Sequence, residues 1–183
     1  GELIARPTHD DIPTHPDQVT EQLEGLMGDD SILVDEVAIP LDEGRHIAWG
    51  IRSGTARAVS DGSFKDGYGT SAGVIAASGD DNDSLYMVNS VPGLLANQSS
   101  YRSELAGILG ILYFTEALCE AHHITYGSIT IALDGKEAMH QASCSNEENP
   151  LQAGQNSFDL LLIIRKLCQA LPIMVKWKWV EGH

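Results

Sequence analysis

The sequence predicts a mixed α/β fold, a five-stranded mixed sheet with flanking helices, and three observations carry that reading. Segments 55–61, 69–77 and 85–91 alternate in polarity and are joined by links rich in Gly, Ser and Asp, as in an antiparallel meander. Segment 99–121 places Leu105, Ile108, Leu109 and Leu112 on one helical face. Beyond it, strand-like and helix-like segments interleave, giving the order strand, strand, strand, helix, strand, helix, helix, strand.

The elements follow in chain order. Residues 1–16 are rich in Pro, Thr, His and Asp without periodicity and read as an extended arm. A short helix is expected over 16–27 through Val19, Leu23 and Leu26. Segment 31–40 carries Ile32, Val34, Val37 and Ile39, but Asp35 and Glu36 interrupt it, so periodicity selects neither strand nor helix. Another short helix is expected over 41–51, ending near Gly54. The first sheet strand is 55–61, with a turn over 62–67, and the second and third are 69–77 and 85–91, linked by a turn over 78–84. Ser99 or Ser100 can cap the long helix. The fourth strand is 128–134, followed by a short helix over 135–142 and a polar loop over 143–155. Asn156 with Asp159 opens a further amphipathic helix that ends by Pro172. The fifth strand, 173–180, sets Val175, Trp177 and Trp179 on one face and Met174, Lys176 and Lys178 on the other.

Composition bounds the function. In 183 residues, 26 Asp+Glu oppose 11 Lys+Arg for a net charge of −15, which argues against a nucleic-acid binder when read as a whole. The charge is uneven, however: residues 1–50 hold 12 acids and 2 bases, net −10, while 51–183 hold 14 and 9, net −5. The chain therefore divides into an acidic N-terminal segment or interdomain connection, 1–54, and a less acidic domain, 55–183. Cys119, Cys144 and Cys168 are scattered without a CxxC spacing, which points to a reduced, intracellular setting (cytoplasm or nucleus) and away from zinc. The longest apolar run, 160–164, is far short of the ~20 residues of a membrane span. Both ends read as cut.

Three carboxylates occupy distinctive places. Asp61 ends the first strand in SDGSF, Glu104 lies in the first turn of the long helix in YRSEL, and Asp134 ends the fourth strand in ALDGKE. With the first and fourth strands as parallel neighbours, both Asp side chains emerge at one sheet edge, and a helix packed over it adds the Glu. Clustered carboxylates repel one another and raise their own pKa values unless a cation neutralises them. An all-oxygen set suits Mg²⁺ or Mn²⁺. Two such ions about 3.5–4 Å apart activate a water and stabilise the departing oxygen at phosphorus, which makes phosphodiester hydrolysis the natural reaction class. Taken singly, each residue has an ordinary reading: Asp-Gly forms turns, and a first-turn Glu suits the helix dipole.

These stretches resemble type 1 ribonuclease H, in particular the ribonuclease H domains of retroelement reverse transcriptases. VSDGSF at Asp61, SSYRSELAGI at Glu104, ITIALDGKEA at Asp134 and KWKWVEGH ending at His183 come in that family's order, with the carboxylates 43 and 30 positions apart, and the resemblance covers 55–183. It implies a ribonuclease H-like fold and a hydrolase that cuts the RNA strand of RNA–DNA hybrids with two Mg²⁺ ions. Asp61 would bridge both metals, and Glu104 and Asp134 would complete the site. Arg102 matches a residue holding a DNA-strand phosphate, Ser99 and Ser100 match the edge that reads the 2′-hydroxyl, and His183 matches a loop His assisting proton transfer or product release. Lys136 adds a charge that can face the substrate backbone. A polymerase domain in the same polyprotein is the implied partner; no membrane is. The family's final helix, with a fourth metal-site carboxylate, is missing here, which implies a truncated reading frame or impaired activity. Gly135 stands where the family usually has Ser.

Other assignments compete residue by residue. Ser99 and Ser100 serve equally as helix caps, and Arg102 as a solvated first-turn side chain. His122 and His123 suit an exposed helix C-terminus. Trp177 and Trp179 are expected in the core, Lys176 and Lys178 on a solvated face. Asp159 reads as a helix-start carboxylate, not as the fourth ligand. For the whole domain, the alternatives are a catalytically impaired structural or binding module and a DNA-acting nuclease or transposase on the same fold.

Overall fold

A computed structural model describes residues 18–27, 34–77 and 83–182. The expected arm over 1–16 and His183 lie outside the described residues, as does most of the 78–84 turn. The chain order is α1 (Gln18–Met27), β1 (Val34–Ala38), α2 (Arg45–Ser53), β2 (Ala56–Lys65), β3 (Tyr68–Ala76), β4 (Leu85–Ser90), a 3₁₀ turn (Leu95–Asn97), α3 (Ser100–Ala121), β5 (Ser128–Leu133), α4 (Lys136–Ser143), α5 (Phe158–Ala170) and β6 (Met174–Trp179).

The six strands form one mixed sheet in the order β1-β4-β3-β2-β5-β6. β2, β3 and β4 are the expected meander, while β2 with β5 and β5 with β6 run parallel. The sixth strand is β1, antiparallel to β4, with an irregularity between Val34 and Glu36. Its exposed Asp35 and Glu36 are tolerable because it is an edge strand, where charge also blunts further pairing.

Expected boundaries shift for local reasons. β2 continues through 62–65, which reads as a turn in sequence, because pairing with β3 extends to Lys65↔Tyr68. The reversal itself is Asp66–Gly67, both at positive φ (53° and 85°), as a two-residue hairpin of primed type requires. α2 begins where the Asp42 carboxylate accepts the Gly44 and His46 amides at 2.9 Å. It ends at Gly54, whose φ of 79° suits a left-handed C-cap. α5 starts after Ser157 at φ 56°, without a side-chain cap, so the expected Asn156 capping pattern does not form.

One sheet face is buried under the helices. Ala58, Ile75, Met87, Ile129 and Ile131 share one core with Leu105, Ile108, Leu109, Ile111 and Leu112 of α3, and Leu161 and Ile164 of α5 belong to the same core. Val19 and Leu23 of α1 and Ile47 and Ile51 of α2 belong to it as well. α3 approaches the sheet closely through Gly107 and Gly110: a Cβ on the first would strike Ser60 Oγ and on the second Asn89 Nδ2. His122 differs from expectation. It is buried, and its Nε2–H donates to the Glu43 carbonyl at 2.6 Å, because the segment entering α2 packs over the end of α3. His123 is exposed as expected.

Trp179, expected in the core, is also different. At 41% exposed it lies at the end of edge strand β6, where its indole N–H donates to the Asp134 carbonyl at 3.0 Å. Trp177 is half-buried, and Lys176 and Lys178 are exposed as expected. Cys119, Cys144 and Cys168 are free thiols. Among the described residues, no helix is long and apolar enough to cross a membrane.

Candidate active site

The parallel β2–β5 ladder aligns Val59 with Ala132. Asp61 and Asp134 each lie two residues further on, so they continue the same row where the strands diverge. Both are exposed, on the sheet edge where the chain leaves β5 for α4. Glu104 arrives from α3. The helix is seated there by Gly62: a Cβ on that residue would stand 2.5 Å from the Glu104 amide nitrogen and 2.6 Å from the Ser103 carbonyl carbon. The Glu104 carboxylate lies over Gly135, in space that a side chain at 135 would fill.

Glu104 senses both aspartates. Partial burial raises the Glu104 pKa first, and the nearby Asp134 and Asp61 charges raise it further. No three His, Cys, Asp or Glu groups among the described residues close into a metal-ligating cluster. The donors are nonetheless a hard-oxygen set, and the repulsion on Glu104 is the kind a divalent cation relieves, so this chemistry fits Mg²⁺ or Mn²⁺.

The remaining candidates fall into two groups. Ser100, Lys136 and Gly135 line an open groove of about 530 Å³ beside Glu104. The Lys136 ammonium sits 4.3 Å from the Trp179 ring centroid, a cation–π contact that holds it at the groove. Ser99 caps α3, its Oγ accepting the Arg102 amide at 3.0 Å. Arg102, expected to meet a phosphate, is buried instead. Its Nε donates to the Pro92 carbonyl at 2.7 Å, and its two terminal nitrogens donate to Asp159 at 2.8 and 2.7 Å. Asp159 is the first-turn acid expected for α5, and this pairing lowers its pKa. His183 lies outside the described residues; its neighbour Gly182 rests against the Asp134 carboxylate.

Sequence reading missed the far wall of the groove, formed by Tyr101, Glu137, Gln141, Gln155 and Asn156. Gln141 ties it together, its Oε1 accepting from Asn149 and Gln155 at 3.2 Å and its Nε2 donating to Glu137 at 3.2 Å. Burial, with the Glu137 charge second, pushes the Tyr101 phenol up to about 12. Arg165 is the strut beneath: 2% exposed, it donates to the Gln141 carbonyl at 3.2 and 3.0 Å, to Asn146 Oδ1 at 3.2 Å and to the Asn149 carbonyl. A cation inside the apolar run LLLIIRKL is the one sequence signal that points to this loop.

Comparison with solved structures decides the fold. LC11-RNase H1 in complex with an RNA/DNA hybrid, an enzyme isolated from compost, superposes with a TM-score of 0.51 at 7% identity over 69% of this chain and 85% of that one. The chain has a ribonuclease H-like fold. RNase H1 of Halobacterium salinarum NRC-1 (TM-score 0.46, 10% identity, 69% and 85% covered) is also similar. So is the N-terminal RNase H domain of a Mycobacterium tuberculosis protein, solved as a maltose-binding-protein fusion (0.46, 12%, 69% and 83%). No protein-family model matches the sequence, and no curated protein does.

Proposed function

We propose that this ribonuclease H-like chain is a metal-dependent endonuclease that hydrolyses the RNA strand of RNA–DNA hybrids, and that it is a domain of a retroelement reverse transcriptase polyprotein beside a polymerase domain. The observation that carries the proposal is the convergence of Asp61, Asp134 and Glu104 at one sheet edge on this fold. That LC11-RNase H1 was solved with an RNA/DNA hybrid supports the substrate class. The retroelement setting rests on the order and wording of the four motifs.

Asp61, Glu104 and Asp134 would hold two Mg²⁺ ions, or Mn²⁺, which supply an activated water and neutralise charge developing at phosphorus. The chain's own residues do the positioning. Gly62 seats α3 so that Glu104 reaches over Gly135, and the Arg102–Asp159 pair fixes the first turn of that helix. Lys136, at the groove, is suited to a backbone phosphate, and Ser99 and Ser100 to the sugar edge. His183 is proposed to assist proton transfer or product release.

The test is cleavage of end-labelled substrates with Mg²⁺. RNA cut only within a hybrid, and uncut by Asp61→Asn, is the expected result. Cleavage of single-stranded RNA, or activity unchanged in Asp61→Asn, overturns the reading, and cleavage of duplex DNA selects a DNA-acting enzyme on the same fold.

A further inference from the structure

Two of the three cysteines share one place in the fold. Cys144 is the C-cap of α4, its amide donating to the His140 carbonyl at 3.2 Å, and Cys168 lies in the last turn of α5. Both are half-buried and line one cleft of about 290 Å³ between these helices and β6, together with Arg165 and Trp177. Cys119 stands apart on α3, 2% exposed. The two helices bring the thiols together because they run in the same direction. α4 starts at Lys136 beside Glu104, and α5 starts at the Asp159 clamp on the first turn of α3. α5 then delivers the chain to Met174, paired with Ser128 at the opposite end of the sheet. Arg165 sets their relative height, its Nε and one terminal nitrogen donating to the Gln141 carbonyl at 3.2 and 3.0 Å. Three positions beyond Gln141 and Arg165, one turn further along, are Cys144 and Cys168.

The two sulfurs sit in different surroundings. Cys144 Sγ is 4.0 Å from His140 Nδ1, one turn back on α4, a ring nitrogen able to take the thiol proton. Burial pushes the Cys168 thiol up to about 11, so at neutral pH it keeps its proton and is the slower nucleophile of the two. Cys144 also opens the loop whose Asn149, Gln155 and Asn156 build the far wall of the groove, and Arg165 lies between that loop and the cleft. A covalent tie at this point would bear on the wall directly.

We propose that Cys144 and Cys168 form a dithiol modification site that hydrogen peroxide converts to a reversible disulfide, locking the start of the groove-wall loop onto α5. The Cys144 sulfur attacks the peroxide: an S–O bond forms as the O–O bond breaks, one water leaves, and Cys144 becomes a sulfenic acid. The Cys168 sulfur then displaces the hydroxyl, so that an S–S bond forms, the S–O bond breaks, and the hydroxyl leaves with the Cys168 proton as a second water. Two thiols are oxidised and one peroxide is reduced. In a reducing compartment such a bridge is transient, the behaviour of a sensor rather than of a structural staple. The inference is independent of the nuclease reading, since it uses neither the metal-site carboxylates nor any cleavage.

The experiment treats the full chain with hydrogen peroxide under native conditions, maps unreduced peptides by mass spectrometry, and follows amide hydrogen exchange before and after. A Cys144–Cys168 link within one chain is expected in wild type and in Cys119→Ser, is expected to be absent in Cys144→Ser and Cys168→Ser, and is expected to be reversed by dithiothreitol. In Cys168→Ser, dimedone is expected to trap Cys144 as the sulfenic acid. Exchange across 144–157 is expected to slow about tenfold in the bridged form while α3 is unchanged. Sulfinic acid at both cysteines without a link, a link that involves Cys119 or a second chain, or a bridge that leaves exchange across 144–157 unchanged overturns the proposal. Thermal melting confirms that each serine variant is folded, and the wild-type map decides the outcome for any that is not.

Discussion

Arg102 and Asp159, 57 residues apart in sequence, clamp the first turn of α3 to the first turn of α5 through a two-pronged ion pair at 2.8 and 2.7 Å. The arrangement is lopsided: the arginine side chain is 4% exposed and the aspartate 63%. Water can therefore reach one partner but not the other.

Asp159→Ala leaves the buried guanidinium with the Pro92 carbonyl alone, and a loss of about 1–3 kcal/mol is expected, toward the lower end because Asp159 is well hydrated. The sign with pH follows from the lowered Asp159 pKa. The pair's contribution is full above the ordinary aspartate value of about 3.9 and fades as pH falls through the lower folded value. Thermal melts of wild type and variant should thus converge in acid.

Glu104 titrates in the opposite sense. Burial and then Asp134 and Asp61 raise its pKa, so the folded state favours its protonated form, and that advantage is lost as pH rises through the folded value. Without divalent ions at neutral pH, Glu104→Gln should melt higher than wild type, the gap closing as pH falls through the raised folded value toward the ordinary 4.5. Adding Mg²⁺ should raise the wild-type melting temperature more than that of the variant. A variant that melts lower than wild type without metal at neutral pH contradicts this account of the site.

Gly62→Ala tests the seating of α3. The added methyl meets main-chain atoms of Ser103 and Glu104, which cannot rotate aside, so urea denaturation should show a loss of about 1–3 kcal/mol. The same displacement moves Glu104 and should lower hydrolysis as well.

Arg165→Met should loosen the groove wall. The cation's partners are the Gln141 and Asn149 carbonyls and Asn146 Oδ1, all of which lose a donor when methionine fills its place. Hydrogen exchange is expected to accelerate across 144–157 while α3 and the central strands keep their protection. Unchanged exchange in that loop would show that the strut is dispensable.

Legibility in the sequence followed the range of the determining contact. β2 to β5 and α3 are written in local alternation and helical stripes, and the Asp61–Asp134 row follows from making two strands parallel neighbours. β1 escaped because an edge strand with one half-buried side needs no regular pattern, so Asp35 and Glu36 could interrupt it. Gly62 imitated a turn residue, although its lack of a side chain serves a contact with α3 some 40 residues away. His122 and Arg102 looked like solvated helix-end groups. Their burial depends on Glu43 and Asp159, which local spacing cannot reveal. The groove wall was opaque for the same reason, since its amides converge only once Arg165 gathers the loop.

The central claim is that Asp61, Glu104 and Asp134 act as one site, and single-turnover hydrolysis of a hybrid with labelled RNA tests it most directly. With saturating Mg²⁺, Asp61→Asn, Glu104→Gln and Asp134→Asn are each expected to lose about 10³-fold or more in rate, the combined variant losing little beyond the singles because the groups work as a unit. Any single variant that cuts at the wild-type rate, or losses that multiply as if the three sites were independent, would contradict the claim.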